Sequence, residues 1–114
     1  VADDAPRVLA HGDHATVLAW GAGVPAALDA AQRLAADGIN IDVIDLRSAA
    51  RANDSVVVDR LRHTGRPILA TAIGANQLVA GVIQHAFLRL ESPPRAAAAN
   101  PDAIADAVRQ SVHY

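Results

Sequence analysis

Residues 16–47, TVLAWGAGVPAALDAAQRLAADGINIDVIDLR, decide the fold. Thr16 to Trp20 is a short apolar run rich in β formers, and Gly21-Ala22-Gly23 breaks it. Val24 to Asp37 then carries apolar residues at helical spacing. Pro25 stands near the start of this helix, where a missing N–H costs nothing. Gly38 is placed to close it in the left-handed conformation. Ile39 to Leu46 is a second β-branched run, interleaved with Asn40, Asp42 and Asp45. Two strands joined by one helix through tight connections make a right-handed βαβ unit with parallel strands.

Outward from this unit the pattern alternates. Residues 1–6 are polar, end in Pro and read as a linker or frayed terminus, leaving 7–114 as the domain. Arg7 to His11 is a short β-like run, and Gly12-Asp13 is turn chemistry. So tight a turn predicts that the first two strands are antiparallel neighbours and that the first is a sheet edge. Beyond the unit, Asn53 or Asp54 caps a helix that runs to about His63 and ends at Thr64-Gly65. Ile68 to Thr71 is a strand, Gln77 to Leu90 a long helix stopped by Ser92-Pro93-Pro94, and Arg95 to Ala99 the last strand. Asn100-Pro101-Asp102 caps a closing helix over Ala103 to Val112. The sum is β-β-α-β-α-β-α-β-α. It predicts an α/β fold, a three-layer α/β/α sandwich whose five-stranded sheet is mostly parallel with an antiparallel first edge strand.

The 114 residues make one domain, with 52% apolar and 19% charged residues and a net charge of −2. Aromatics are 3%, so the core is built from Ala, Val, Ile and Leu, which suits helices lying close on a sheet. Nothing resembles a nucleic-acid footprint or a basic membrane-binding helix. The absence of Cys removes thiol catalysis, disulfides and Cys-based zinc sites. The expected compartment is the cytoplasm. The chain also lacks Met and is expected to be a piece of a longer polypeptide or a separate small subunit.

In open α/β sheets, ligands sit at the carboxyl ends of strands. Gly21 to Gly23, Arg47 with Ser48, and Thr71 to Gly74 occupy those places. Gly21 and Gly23 open a helix whose N-terminal N–H groups can hold an anion, although no third Gly or P-loop Lys accompanies them. The simpler reading is a tight turn. Arg47 can grip a phosphate or carboxylate bidentately, or pair with an acid of a neighbouring domain, and Asp45 is its nearest expected partner. Gly74 is a third ligand or interface candidate. The five histidines, His11, His14, His63, His85 and His113, show no metal-ligand spacing, and no catalytic set emerges from the Ser, His and acidic positions. A receiver-type phosphoacceptor needs an acidic cluster after the first central strand, where Trp20-Gly21 stands instead.

AWGAGV, the Ala-rich helix and DGINIDVIDLR together resemble the C-terminal domain of the transketolase superfamily. The nearest likeness is to the beta subunits of the decarboxylating component of 2-oxo acid dehydrogenase complexes. It is specific over residues 15–47, looser over 60–71, which includes HTGRPI, and around 86–90, and elsewhere topological. After Arg47 the family pattern of Leu, Pro and Asp is replaced by Ala49, Ala50, Arg51 and Ala52, and Gln77 stands where the family has a Glu. The resemblance implies an accessory, assembly-promoting domain or small subunit, not catalytic by itself, within an oxidoreductase or transferase whose active site is not complete in this chain. It implies that thiamine diphosphate and Mg are held by larger partner domains or subunits of an oligomer. The rival reading is a free-standing module for a phosphate- or carboxylate-bearing ligand.

Overall fold

A computed structural model describes residues 6–47, 54–70 and 95–112. Five strands, β1 (Arg7–Ala10), β2 (Ala15–Ala19), β3 (Ile41–Asp45), β4 (Pro67–Ala70) and β5 (Arg95–Ala96), form one sheet in the order β1-β3-β2-β4-β5. All neighbours are parallel except β1 with β3. The described helices are α1 (Gly23–Ala36), α2 (Ser55–Thr64) and α3 (Pro101–Val112). The expected helix at 77–90 lies outside the described residues.

The alternation of side chains along β2 and β3 builds the layers. Val17, Ala19, Ile41 and Val43 face α1 and α3, while Leu18, Ile44 and Leu46 face α2. Toward the sheet, α1 turns Gly23, Ala26, Ala27, Ala30 and Leu34, a helical stripe of mostly small residues. Helices α1 and α3 are further tied at the surface by Arg33 with Asp102 and by Arg109 with Asp37. The expected cap residues act as such. Gly38 has φ 79° just past α1, Asp54 Oδ1 accepts the Val56 N–H at 3.2 Å, and Asn100 Oδ1 accepts the Ala103 N–H at 2.8 Å. Pro101 occupies the first position of α3, two residues before the expected start.

One expectation fails. β1 is an antiparallel edge strand, but its neighbour is β3 and not β2. The Gly12-Asp13 segment is no hairpin turn. β1 runs toward the beginning of β3, and residues 11–14 then pass over that end to enter β2 on its far side. Two strand spacings are about 10 Å, within reach of four extended residues. Gly12 makes this passage feasible: a methyl group there would overlap the Asn40 carbonyl carbon and the Ile41 nitrogen. The edge strand itself is interrupted between Val8 and Ala10, so that Val8 packs on the α2 side while Ala10 packs on the α1 side. The extra residue, Leu9, is 43% exposed, an irregularity that blunts an edge against further pairing.

Beneath the passage lies a buried polar cluster. Asp42 shares the inner face of β3 with Ile44 and Leu46 and is fully buried. Its Oδ1 accepts the Gly12 N–H at 3.0 Å and Arg60 Nη2 at 2.9 Å, and its Oδ2 accepts Thr16 Oγ1 at 2.9 Å and Arg60 Nε at 3.0 Å. Arg60 Nη2 also donates to the Gly12 carbonyl at 3.0 Å. Because the Thr16 hydroxyl proton goes to Asp42, Thr64 is the donor in the 2.7 Å Thr16–Thr64 contact. The hydrogen bond to Asp42 raises the Arg60 guanidinium pKa above its ordinary value. The cluster joins the β1–β2 passage, β2, β3 and α2.

Removing one partner of a buried ion pair leaves an uncompensated charge and costs about 3–5 kcal/mol. Arg60→Met is therefore expected to lower the unfolding free energy by about 3 kcal/mol in urea titrations. Gly12→Ala, which drives a methyl into backbone, is expected to cost at least about 3 kcal/mol. A loss below about 1 kcal/mol for either would contradict the cluster's role.

Candidate functional site

The carboxyl ends of β2, β3 and β4 bring together two of the three places singled out by sequence. β2 delivers half-buried Trp20 and then Gly21, whose φ is 61°. The Gly23 N–H donates to the Trp20 carbonyl and the Val24 N–H to the Gly21 carbonyl, both at 3.2 Å. Pro25 has no N–H. The two donors among the first three residues of α1 are thus directed into the turn. Gly23 also lets α1 press against β4, since a Cβ there would overlap the Ala70 carbonyl oxygen. Gly74, Ser48 and Thr71 lie outside the described residues.

Arg47 follows β3 at the neighbouring strand end. The Leu46 N–H still bonds the Ala19 carbonyl at 2.8 Å, so the ladder runs one residue past β3 before the chain turns. Arg47 then takes φ 69°, and it is the one non-glycine residue with positive φ among those described. That conformation costs an L-residue about 1–2 kcal/mol. Asp45 holds it: Oδ1 accepts the Arg47 N–H at 3.1 Å, and Oδ2 lies 3.7 Å from Arg47 Nε. The expected Asp45–Arg47 pair is present, but it is made across a turn and not along one strand face. The pair stays solvent-accessible, with the Arg47 side chain 36% exposed.

The opposite pole, where the parallel strands begin, holds the described histidines. His63 Nε2 lies 2.8 Å from Asp13 Oδ1, and His14 Nδ1 accepts the Asn40 N–H at 2.9 Å. His11 is exposed and lines an open groove of about 380 Å³ with Ala10, Leu28 and Asn40. His85 and His113 lie outside the described residues. The hydrogen bond from His63, reinforced by its charge, holds the Asp13 carboxyl below its ordinary value. A carboxyl lowered in the folded state stabilises the fold above its unfolded pKa and loses that effect as pH falls through the lowered value. Asp13→Asn is accordingly expected to flatten the acid limb of a stability–pH curve. An unaltered acid limb would contradict the pairing.

Among the described residues no group of three or more His, Asp or Glu side chains converges to hold a metal. Nor is any described helix long and apolar enough to cross a membrane. Sequence reasoning missed the Asp42–Arg60 pair. The available signals were an acid on the inward face of a β run and an Arg three residues after Val57 on the apolar stripe of α2.

This architecture, with its antiparallel edge strand and glycine turn, is that of a known class. A family model described as the C-terminal domain of transketolase matches residues 5–113. The chain belongs to the transketolase C-terminal domain family. The pyruvate dehydrogenase E1 component subunit beta of Leifsonia xyli subsp. xyli is 36% identical over 94 residues, 78% of this chain and 28% of that protein. The 2-oxoisovalerate dehydrogenase subunit beta of Bacillus subtilis is 31% identical over 91 residues, 75% of this chain and 28% of that protein. The chain is thus close to 2-oxo acid dehydrogenase beta subunits and spans little more than a quarter of their length. A split-gene transketolase, solved as an inactive beta4 tetramer, superposes with a TM-score of 0.85 at 23% identity, over 99% of this chain and 43% of that one. Transketolase from Pichia stipitis superposes at 0.64 and 14% identity, over 98% of this chain and 18% of that one.

Arg47→Gly is expected to leave stability within about 1 kcal/mol of the parent, because relief of the left-handed strain offsets the lost pair. A loss above about 2 kcal/mol would show that the Asp45–Arg47 contact holds the fold itself.

Proposed function

We propose that this chain is the assembly domain of a thiamine-diphosphate-dependent enzyme of the 2-oxo acid dehydrogenase beta type, and that it does no chemistry alone. The observation that carries the proposal is the 36% identity to a pyruvate dehydrogenase beta subunit over a match that is a C-terminal domain. The geometry supports it, because the Gly23, Val24 and Arg47 N–H groups are engaged within their own turns. Thiamine diphosphate and Mg are then bound by the larger partner domains or subunits, in the cytoplasm. Gly21, Gly23, Arg47 and Gly74 are the candidate contact residues, and interfaces between domains tolerate such polar groups. Leu9 and Val56, 43% and 41% exposed, are the large apolar side chains that the described surface offers.

The rival module for a phosphate or carboxylate needs donors that Gly23 and Val24 direct to carbonyls of their own turn. Assembly leaves those bonds intact and is preferred.

Native mass spectrometry of the protein taken gently from its own source tests the proposal. The expected result is a complex with larger chains that carries thiamine diphosphate. A lone chain that binds inorganic pyrophosphate, and loses that binding in Arg47→Ala, would overturn it in favour of the rival.

A further inference from the structure

The Gly12–His14 passage is held from two sides by two histidines, and protonation acts on them in opposite directions. On the β3 side, the His14 N–H donates to the Asn40 carbonyl at 3.0 Å, and the Asn40 N–H donates to His14 Nδ1 at 2.9 Å. The ring takes the amide that precedes the β2–β3 ladder. Nδ1 accepts only while it carries no proton. Once protonated, it sets one N–H donor against another, and its remaining acceptor is the Asn40 carbonyl at 3.3 Å, which already takes the His14 N–H. On the α2 side, His63 Nε2 meets Asp13 Oδ1 at 2.8 Å, a contact that becomes an ion pair when His63 gains its proton. His63 stands in the last turn of α2, where positive charge also favours the helix dipole.

We infer that this passage is a proton-driven exchange of anchors: neutral His14 ties it to the start of β3, and protonated His63 ties it to the end of α2. As falling pH adds protons to the two rings, the hold on β3 loosens and the hold on α2 tightens. The charged groups around the passage are Arg60 and buried Asp42, which fix Gly12 between them, and Arg66, whose Nη1 donates to the His14 carbonyl at 3.4 Å. His11 lies on the passage itself, and Asp59 and Arg62 flank His63 on α2. Because Asp42 and Arg60 hold Gly12 throughout, the exchange moves Asp13 and His14 about a fixed point.

The test is amide hydrogen exchange by NMR on this chain between pH 8 and pH 5, corrected for intrinsic exchange. Two reporters are the Asn40 N–H and the Gly65 N–H, which closes α2 on the Leu61 carbonyl at 2.7 Å. The expected result is a fall in Asn40 protection of about fivefold, the worth of one hydrogen bond, with a rise in Gly65 protection over the same interval. His14→Phe is expected to abolish the Asn40 response and keep that of Gly65, and His63→Gln the reverse. If His14→Phe does not fold, the wild-type titration decides: the Asn40 amide shift must follow the His14 ring shift. Asn40 protection that is independent of pH, or that falls together with Gly65, would overturn the inference, as would an Asn40 response that survives in His14→Phe.

Discussion

The Asp42 carboxylate governs how this sheet is built. It sits at the N-terminal end of a central parallel strand with no solvent exposure, and it accepts four hydrogen bonds, two from Arg60 and one each from Gly12 and Thr16. A charge in that place is tolerated only when every lone pair has a partner. Each partner therefore becomes a positional requirement. Arg60 fixes the rotation of α2 over the sheet, Thr16 fixes the β2–β3 register, and Gly12 fixes the path of the chain from edge strand to centre. Leu18, Ile44, Leu46, Leu69, Val57 and Leu61 supply the apolar burial on that face, but apolar contacts are not directional. The ion pair selects one arrangement among those they permit.

The two ends of the sheet are thereby divided. Where the parallel strands begin, the Asp42 carboxylate is buried and satisfied, and it holds the fold. At the carboxyl ends, the turn glycines and the Asp45–Arg47 pair are shaped by close packing. Gly23 gives way to the Ala70 carbonyl, and Arg47 is bent into a left-handed conformation that its own neighbour stabilises. The surface stays accessible, while the Gly23, Val24 and Arg47 N–H groups bond within their own turns.

The sequence announced much of this, and its silences have physical causes. The βαβ unit was legible because helix period, strand composition, Pro25 and Gly38 all point the same way. The caps Asp54 and Asn100 were legible for the same local reason. The partner of β1 was not. A Gly-Asp step looks alike in a hairpin and in a chain that passes over a strand end, and only the close approach of Gly12 to Asn40 distinguishes them. The Asp42–Arg60 pair was hidden by its separation of eighteen residues, across two elements whose relative rotation no local rule supplies. The strained backbone of Arg47 left no trace, because Arg is not a residue type that marks the left-handed region.

The most direct test of the assembly account is hydrogen exchange on this chain in complex with the larger subunits that the proposal assigns to it, compared with the chain alone. The account predicts added protection around Trp20 to Val24 and at Leu46 and Arg47, with little change over Gly12 to His14. Unchanged exchange at those strand ends, or protection gained only at the opposite pole, would contradict it.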